Sequence, residues 1–127
     1  MAFGTFDLFH PGHKHYLDTA LALGDELIVI VARDSRVLTV KLRSPIHTEL
    51  TRLDNVSNAC PEAMVILWDE KDMMEPLRNY QPDIIALWYD QHFPEERVRS
   101  VLPDVRVVRI DGYMTDTYKS SLLRENL

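Results

Sequence analysis

Two histidines stand three residues apart around a Pro-Gly pair, at His10 and His13 in the stretch GTFDLFHPGH. Proline is favoured in the first turn of a helix, and Gly12 allows a close backbone turn, so the pair is predicted to lie where a helix begins. The N–H groups and the dipole at a helix start favour an anion. Two imidazoles there could donate hydrogen bonds to a phosphate and stabilise the charge that develops when the phosphate is attacked.

A metal site and a purely structural role are the alternatives for this histidine pair. Asp7 and His15 are near in sequence, but their spacing from His10 and His13 matches no familiar zinc pattern. Two solvated histidines at a helix start would be ordinary in an arbitrary sequence. The lead-in Gly-Thr-Phe-Asp and the position between a strand and a helix favour the phosphate hypothesis. No dedicated metal site is therefore predicted.

The elements that must position these histidines alternate between strand and helix. Apolar segments predict five strands, at residues 1–3, 26–32, 63–67, 83–89 and 105–110. Helical patterns predict helices at about residues 12–23, 47–59, 72–80 and 94–102, with the start of a closing helix after residue 118. Such alternation predicts an α/β fold, a doubly wound sandwich whose five-stranded parallel sheet has helices on both faces.

Polar, chemically capable residues follow three of the predicted strands. They are the histidine stretch after the first strand, the segment Ala-Arg-Asp ending at Asp34 after the second, and Tyr-Asp-Gln-His-Phe after the fourth. In doubly wound sheets the ligand lies beyond the carboxyl ends of the strands, at the point where the winding reverses. We therefore expect these segments to meet at one edge of the sheet.

Size and composition predict one soluble domain spanning residues 1–127, with 46% apolar and 27% charged residues. The net charge of −6 argues against a nucleic-acid surface. The longest apolar run, LIVIVA, is far shorter than the roughly 20 residues of a membrane span, and no signal peptide is visible. Cys60 is the only cysteine, which excludes a disulfide framework and favours a cytoplasmic location.

The stretch GTFDLFHPGH is similar to the HxGH signature of the cytidylyltransferase-like nucleotidyltransferases, and the likeness extends through nearly the whole chain. The segments GDELIVIVARDS, DMMEPLRNYQPDIIAL and YDQHF most resemble the archaeal-type FAD synthases, with the glycerol-3-phosphate cytidylyltransferases as cousins. The resemblance implies a Rossmann-like fold. It also implies transfer of a nucleotidyl group from ATP or CTP, with Mg²⁺ bound through the triphosphate, to a phosphorylated acceptor such as FMN, and release of pyrophosphate.

The same resemblance implies roles for individual residues. His10 and His13 would contact the triphosphate around the transferred phosphorus, and Lys41 stands where the family has a mobile basic loop that clamps phosphate. The expected nucleotide- and phosphate-binding residues are Gly4, Thr5, Phe6, Asp90, Gln91, Arg109, Ser120 and Ser121.

Asp34 and Arg52 are candidates for binding substrate or metal, each with a structural alternative. Asp34 ends the second predicted strand and could instead cap a helix. Arg52 follows Glu49 at helical spacing, so it could instead form a surface ion pair of little energetic value. Family position makes Arg52 a candidate phosphate ligand.

Two tryptophans depart from the family pattern, which usually has glycine where Trp68 and Trp88 stand. An indole at a strand end would fill part of the nucleotide pocket or form a new apolar surface. The alternative hypothesis is therefore a nucleotidyltransferase scaffold, repurposed by evolution or engineering, that binds a protein partner while catalysis is weakened or lost. The rim expected to bind that partner comprises Trp68, Met73, Met74, Trp88, Tyr89, His92 and Phe93.

Three expectations concern the partners of this protein. His92 lies close to the expected rim, so binding there would change between about pH 5 and 7, where histidine titrates. Family members are often dimers, which makes a homodimer a further expectation. Neither a nucleic acid nor a membrane is expected as a partner.

Overall fold

The computed structural model describes residues 1–35, 45–68, 72, 74–89 and 91–111. Within these ranges it contains five strands: β1 (Ala2–Gly4), β2 (Ile28–Val31), β3 (Met64–Leu67), β4 (Ile84–Trp88) and β5 (Arg106–Ile110). Four helices are described between them: α1 (Pro11–Ala22), α2 (Glu49–Ala59), α3 (Glu75–Tyr80) and α4 (Glu95–Val101).

The five strands form one parallel sheet in the order β3-β2-β1-β4-β5. The chain moves outward from β1 to β3, then crosses back to place β4 on the other side of β1. The winding therefore reverses between β1 and β4, and the carboxyl ends of these strands border the crevice in which such folds bind ligands. This architecture confirms the predicted α/β sandwich.

Side chains alternate between the two faces of the sheet and build two apolar clusters. Ala2, Val29 and Ala86 point to a first face, where α1 and α2 cover them with residues such as Leu17 and Val56. The intervening strand residues point to the opposite face.

The second cluster combines Phe3, Ile30 and Ile85 with Leu77 of α3 and Val98 of α4. Because β1, β2 and β4 are buried on both faces, their sequences are continuously apolar rather than alternating, as is typical of parallel strands.

The predicted elements agree with the described ones to within a few residues at their ends. The largest differences are at α3, which begins at Glu75 rather than 72, and at β2, which is three residues shorter than its apolar segment. The predicted closing helix lies outside the described residues. None of the described helices is both long and apolar enough to cross a membrane.

The last residue of β1, Gly4, has to be a glycine because the Phe6 ring approaches its Cα closely. A Cβ atom at this position would lie 2.8 Å from Cε2 of Phe6, and that ring is itself only 3% exposed. Phe6 has φ 57°, a left-handed conformation that is unusual for a non-glycine residue. The chain thus folds the Phe6 ring back under the end of β1.

We expect Gly4→Ala to lower the free energy of unfolding by about 1–3 kcal/mol, because the buried Phe6 ring must move to admit the methyl group. Gly24→Ala is the matched control, since no atom lies within 4 Å of its added Cβ and its φ is not positive. It should be neutral or stabilise by up to about 1 kcal/mol. Urea unfolding measures both, and equal stabilities for the two variants would contradict the packing argument.

Candidate active site

His10 and His13 cap helix α1 reciprocally. The Gly12 N–H donates to Nδ1 of His10 at 3.1 Å, while the His10 N–H donates to Nδ1 of His13 at 3.3 Å. The two rings stack with centroids 3.8 Å apart and planes 22° from parallel. This arrangement is a capping box in which two imidazoles take the places usually held by Ser or Thr and Glu.

The capping contacts determine which ring nitrogen carries the proton. A nitrogen that accepts a backbone N–H bears no proton, so a neutral ring must carry its proton on Nε2. Burial lowers the pKa of His10 from its ordinary value of 6.5 to about 4, which keeps that ring neutral at pH 7. Each imidazole can therefore offer an Nε2–H donor to an anion at the helix start, where the dipole also favours negative charge.

The backbone between β1 and α1 is held by a buried arginine. Arg52 of α2 is fully buried, and its Nη1 donates to the carbonyl oxygen of Thr5 at 2.7 Å. Because the C=O and N–H of a trans peptide point in opposite directions, this bond turns the Phe6 N–H to the other side of the loop. Arg52 thus fixes the orientation of the Thr5–Phe6 peptide in the loop of Gly4, Thr5 and Phe6.

The same guanidinium connects β2 to the start of α2. Its Nη2 lies 2.8 Å from Oδ1 of Asp34, and its Nε donates to the His47 carbonyl at 3.2 Å. Asp34 and Glu49 exchange two further bonds, since each carboxylate accepts the other's backbone N–H. The interpretation of Arg52 as a surface ion pair with Glu49 is wrong, because Arg52 is buried and pairs with Asp34. Phosphate or substrate binding by Arg52 and Asp34 stays a prediction.

Asp7 provides a third anchor below the site. Its buried carboxylate accepts the N–H groups of Ile46 at 2.8 Å and His47 at 2.9 Å. These bonds tie the chain that precedes α2 to the loop that follows β1. The composition of the motif gave no indication of this role, because the N–H groups that donate to Asp7 lie 39 and 40 residues further along the chain.

The strands β1 and β4 separate at the switch point, and the hydroxyl of Tyr16 lies between them. Below this level they bond directly, with the Ala86 N–H donating to the Met1 carbonyl at 2.9 Å. One step further, the Phe3 N–H donates to the Tyr16 hydroxyl at 3.1 Å, and the hydroxyl donates to the Ala86 carbonyl at 2.6 Å. Burial raises the pKa of Tyr16, so this phenol stays protonated.

The amide of Gln91 bridges the next level of the same gap. Its Oε1 accepts the Trp88 N–H, and its Nε2 donates to the Phe3 carbonyl, both at 3.2 Å. Arg109, at the end of β5, donates to the carbonyls of Gln91 at 2.8 Å and Trp88 at 3.3 Å. Gln91 and Arg109 therefore lie beside the crevice, as expected from their positions in the sequence. Both side chains bond to backbone groups of the residues that border it.

The two tryptophans lie on opposite faces of the sheet. Trp88 packs with the first-face cluster, and its ring centroid is 5.5 Å from that of Tyr16 and 6.3 Å from that of His15. Trp68 packs with the second-face cluster, 5.1 Å from Phe3. The expectation that Trp68 and Trp88 belong to one continuous rim is therefore wrong. Side chains alternate between the two faces of a sheet, and these two tryptophans occupy positions that point to opposite faces.

The other members of the expected rim are also divided. Met74 and Phe93 pack with the second-face cluster, Tyr89 packs edge-on against Trp88, and His92 is exposed. Five predicted residues lie outside the described residues: Lys41, Met73, Asp90, Ser120 and Ser121. Among the residues that are described, no group of three or more His, Cys, Asp or Glu side chains could hold a metal ion.

A parallel sheet that reverses its winding beside the start of a helix defines a Rossmann-like α/β protein with a crevice at the switch point. Within this class, the family of the chain is also known. The model of the Cytidylyltransferase-like family matches residues 1–126, so the chain belongs to that family.

Individual relatives carry more specific names. The chain is 42% identical to an FAD synthase of Thermoplasma acidophilum over its whole length and 92% of that protein. An FAD synthase of Methanosarcina barkeri is 53% identical over 65% of this chain, and the match spans only 58% of that relative's length.

The fold has a close counterpart among solved structures. The crystal structure of the lipopolysaccharide core biosynthesis protein from Thermoplasma volcanium GSS1 superposes with a TM-score of 0.79 and 43% sequence identity. The match covers 89% of this chain and 95% of the other.

We expect Arg52→Met to destabilise the protein by about 2–4 kcal/mol, because it leaves the carbonyls of Thr5 and His47 and the carboxylate of Asp34 without their shared donor. The loss is smaller than for a fully buried pair, since the Asp34 side chain is 40% exposed. Lys14→Met removes the exposed Lys14–Asp18 pair and an exposed bond to the Ala59 carbonyl, and it should cost much less. Urea unfolding compares the variants, and similar losses would refute the anchoring role of Arg52.

The neutral state of His10 predicts a pH dependence of stability. The pKa of His10 is about 4 when folded and near 6.5 when unfolded, so the unfolded chain binds more protons between these values. The contribution of His10 is therefore complete above about pH 6.5 and falls as the pH is lowered towards 4. Asn is also a good N-cap but does not titrate here.

The stability difference between the wild type and His10→Asn should thus shift in favour of the variant as the pH is lowered. Urea unfolding at several values between pH 7.5 and 4.5 measures this difference. Parallel stability profiles for the two proteins would show that protonation of His10 is not coupled to folding.

Proposed function

We propose that this protein is a nucleotidyltransferase, most specifically an FMN adenylyltransferase that makes FAD from ATP and FMN. The observation that carries the proposal is the reciprocal capping of His10 and His13, which commits both Nδ1 atoms to the backbone and leaves Nε2 as the donor of each neutral ring. Two such donors at the start of a twelve-residue helix suit a polyphosphate better than a metal ion.

The choice of substrates is supported by the names of the relatives. Two proteins 53% and 42% identical to this chain are called FAD synthases, and FAD is the product of joining AMP to FMN. The adenylyl donor for such a reaction is ATP. The family as a whole is described as cytidylyltransferase-like, which makes CTP the natural competitor to test against ATP.

The proposed reaction replaces one phosphoanhydride bond with another. A phosphate oxygen of the acceptor attacks the α-phosphorus of the nucleotide, the bond from that phosphorus to the bridging oxygen breaks, and pyrophosphate leaves with the electron pair. No strong base is needed, because the attacking phosphate oxygen is already ionised. Catalysis then consists of positioning and charge stabilisation.

Different residues of the site would position the substrates and stabilise the developing charge. The imidazoles of His10 and His13 would donate to oxygens on the transferred phosphorus and stabilise the charge that grows there. Gly4, Thr5 and Phe6 would bring backbone close to the triphosphate, with the Thr5 carbonyl turned away by Arg52. Bound Mg²⁺ would neutralise phosphate charge on the triphosphate.

Further contacts are proposed at the crevice and outside the described residues. Lys41 would supply a cation to the phosphates, Ser120 and Ser121 would hold the outer phosphates, and Asp90 would bind ribose or base. Arg109 would contribute positive charge beside the crevice, where its guanidinium bonds to the carbonyl of Gln91.

ATP with Mg²⁺ should raise the melting temperature, because a ligand that binds only the folded state stabilises it. With FMN added, the protein should form FAD, which chromatography detects. His10→Asn keeps a helix cap but removes the Nε2 donor, so we expect its kcat to fall about 100-fold or more at pH 7.5. His15→Gln is the matched control on the same helix and should retain most activity.

No melting shift with ATP or CTP would argue strongly against the proposed function. FAD formation at undiminished kcat by His10→Asn would leave the reaction intact and remove His10 from it. Transfer from CTP with no transfer from ATP would retain nucleotidyl transfer but replace the proposed donor.

A further inference from the structure

We propose that Tyr16 and Gln91 are positioning residues that hold β1 and β4 apart and so set the shape of the crevice. This inference rests on the proposed nucleotidyl transfer for its catalytic consequence, but its structural part is independent of that function. Neither side chain needs to touch substrate to act in this way.

Hydrogen bonds along the β1–β4 border support this role. The Met1 nitrogen donates to the Ile84 carbonyl at 2.8 Å, and the Ala86 N–H donates to the Met1 carbonyl at 2.9 Å. The next two bonds of a regular parallel ladder would join the Phe3 N–H to the Ala86 carbonyl and the Trp88 N–H to the Phe3 carbonyl. The register of the strands places those groups opposite one another.

At each of these two positions a side chain bonds to both backbone groups. The Tyr16 hydroxyl accepts from the Phe3 N–H and donates to the Ala86 carbonyl. The Gln91 amide accepts from the Trp88 N–H and donates to the Phe3 carbonyl. All four backbone groups thus have a side-chain partner, and the pairing of β1 with β4 does not extend past Ala2 and Ala86.

The chemistry of the two side chains explains why they suit this position. A bridging group must both accept from an N–H and donate to a carbonyl, and a hydroxyl and an amide can each do both. Paired strands lie about 4.8 Å apart, and a polar group inserted between donor and acceptor requires a wider separation. The bridges therefore open the sheet without leaving buried polar groups unpaired, which would cost about 1–3 kcal/mol each.

Tyr16 also links the gap to the histidine pair. It lies three residues after His13 on α1, and its ring stacks on that of Phe6 at 6.2 Å, while Phe6 contacts His13 at 5.4 Å. A shift of the Tyr16 hydroxyl would therefore move the helix start relative to the loop that follows β1. Tyr16 therefore contributes, together with Arg52, to the distance between the imidazole donors and the loop backbone.

These contacts change the role expected for Gln91. The family resemblance implies contact with the base or ribose, whereas both ends of its amide bond to backbone here. If Gln91 read the base, its loss would change the preference between ATP and CTP. If it positions the strands, its loss should lower kcat for both nucleotides in the same proportion and leave KM nearly unchanged.

The experiment uses Tyr16→Phe, which removes only the hydroxyl, and Gln91→Met, which keeps the length of the side chain. We expect kcat to fall roughly 10- to 100-fold in each at a temperature where the variant is fully folded. Arg99→Met is the matched control, because it removes one side-chain bond to the Val105 carbonyl at the opposite end of the sheet. It should retain kcat even if it is equally destabilised.

Amide hydrogen exchange supplies a readout that needs no activity. The Phe3 N–H should exchange at least tenfold faster in Tyr16→Phe, and the Trp88 N–H in Gln91→Met, while both stay protected in Arg99→Met. Unchanged exchange in both variants, or a kcat equal to that of Arg99→Met, would overturn the proposal. A changed ATP-to-CTP preference in Gln91→Met would overturn the role of Gln91.

Failure of the proposed function is distinguishable from failure of this inference. If the wild type transferred no nucleotidyl group, nucleotidyl transfer would be refuted. The exchange rates of Phe3 and Trp88 would still confirm or overturn the role of the two side chains as spacers.

Discussion

The separation of β1 from β4 is the constraint on which the candidate site depends. A parallel sheet gains stability from continuous pairing, yet a crevice at the switch point requires that pairing to stop. Here it stops after Ala2 and Ala86, where the Tyr16 hydroxyl and the Gln91 amide bond to backbone groups of both strands. The histidine pair lies at the start of the helix that carries Tyr16, the Phe6 ring stacks on Tyr16, and Gln91 belongs to the segment after β4.

A second constraint acts from the other side of β1. Arg52 is wholly buried and connects the Thr5 carbonyl, Asp34 and the His47 carbonyl, while Asp7 binds the backbone at Ile46 and His47. These contacts join the ends of β1 and β2 to the start of α2. A loop with non-glycine residues in the left-handed region, as at Phe6, persists only when its surroundings hold it so.

Much of the fold could be predicted because its signals are local. Continuous apolar runs identified the buried strands, and helical spacing identified four helices, since each pattern reflects which faces of one element are covered. The histidine pair was also predictable, because Pro11 and Gly12 mark a helix start within the same ten residues. Trp68 and Trp88 were misjudged as one surface because the register of β3 and β4 on opposite sides of β1 cannot be read from either segment alone.

The sequence by itself determined that this chain forms a parallel α/β sandwich and carries paired imidazoles at the start of its first helix. It did so because periodicity and capping residues act over a few positions. Only the tertiary structure decided that Arg52 is a buried anchor, that Asp7 binds backbone forty residues away, and that Tyr16 bridges two strands. Those roles depend on which distant carbonyls and N–H groups the folded chain places beside each side chain, and no local pattern encodes that.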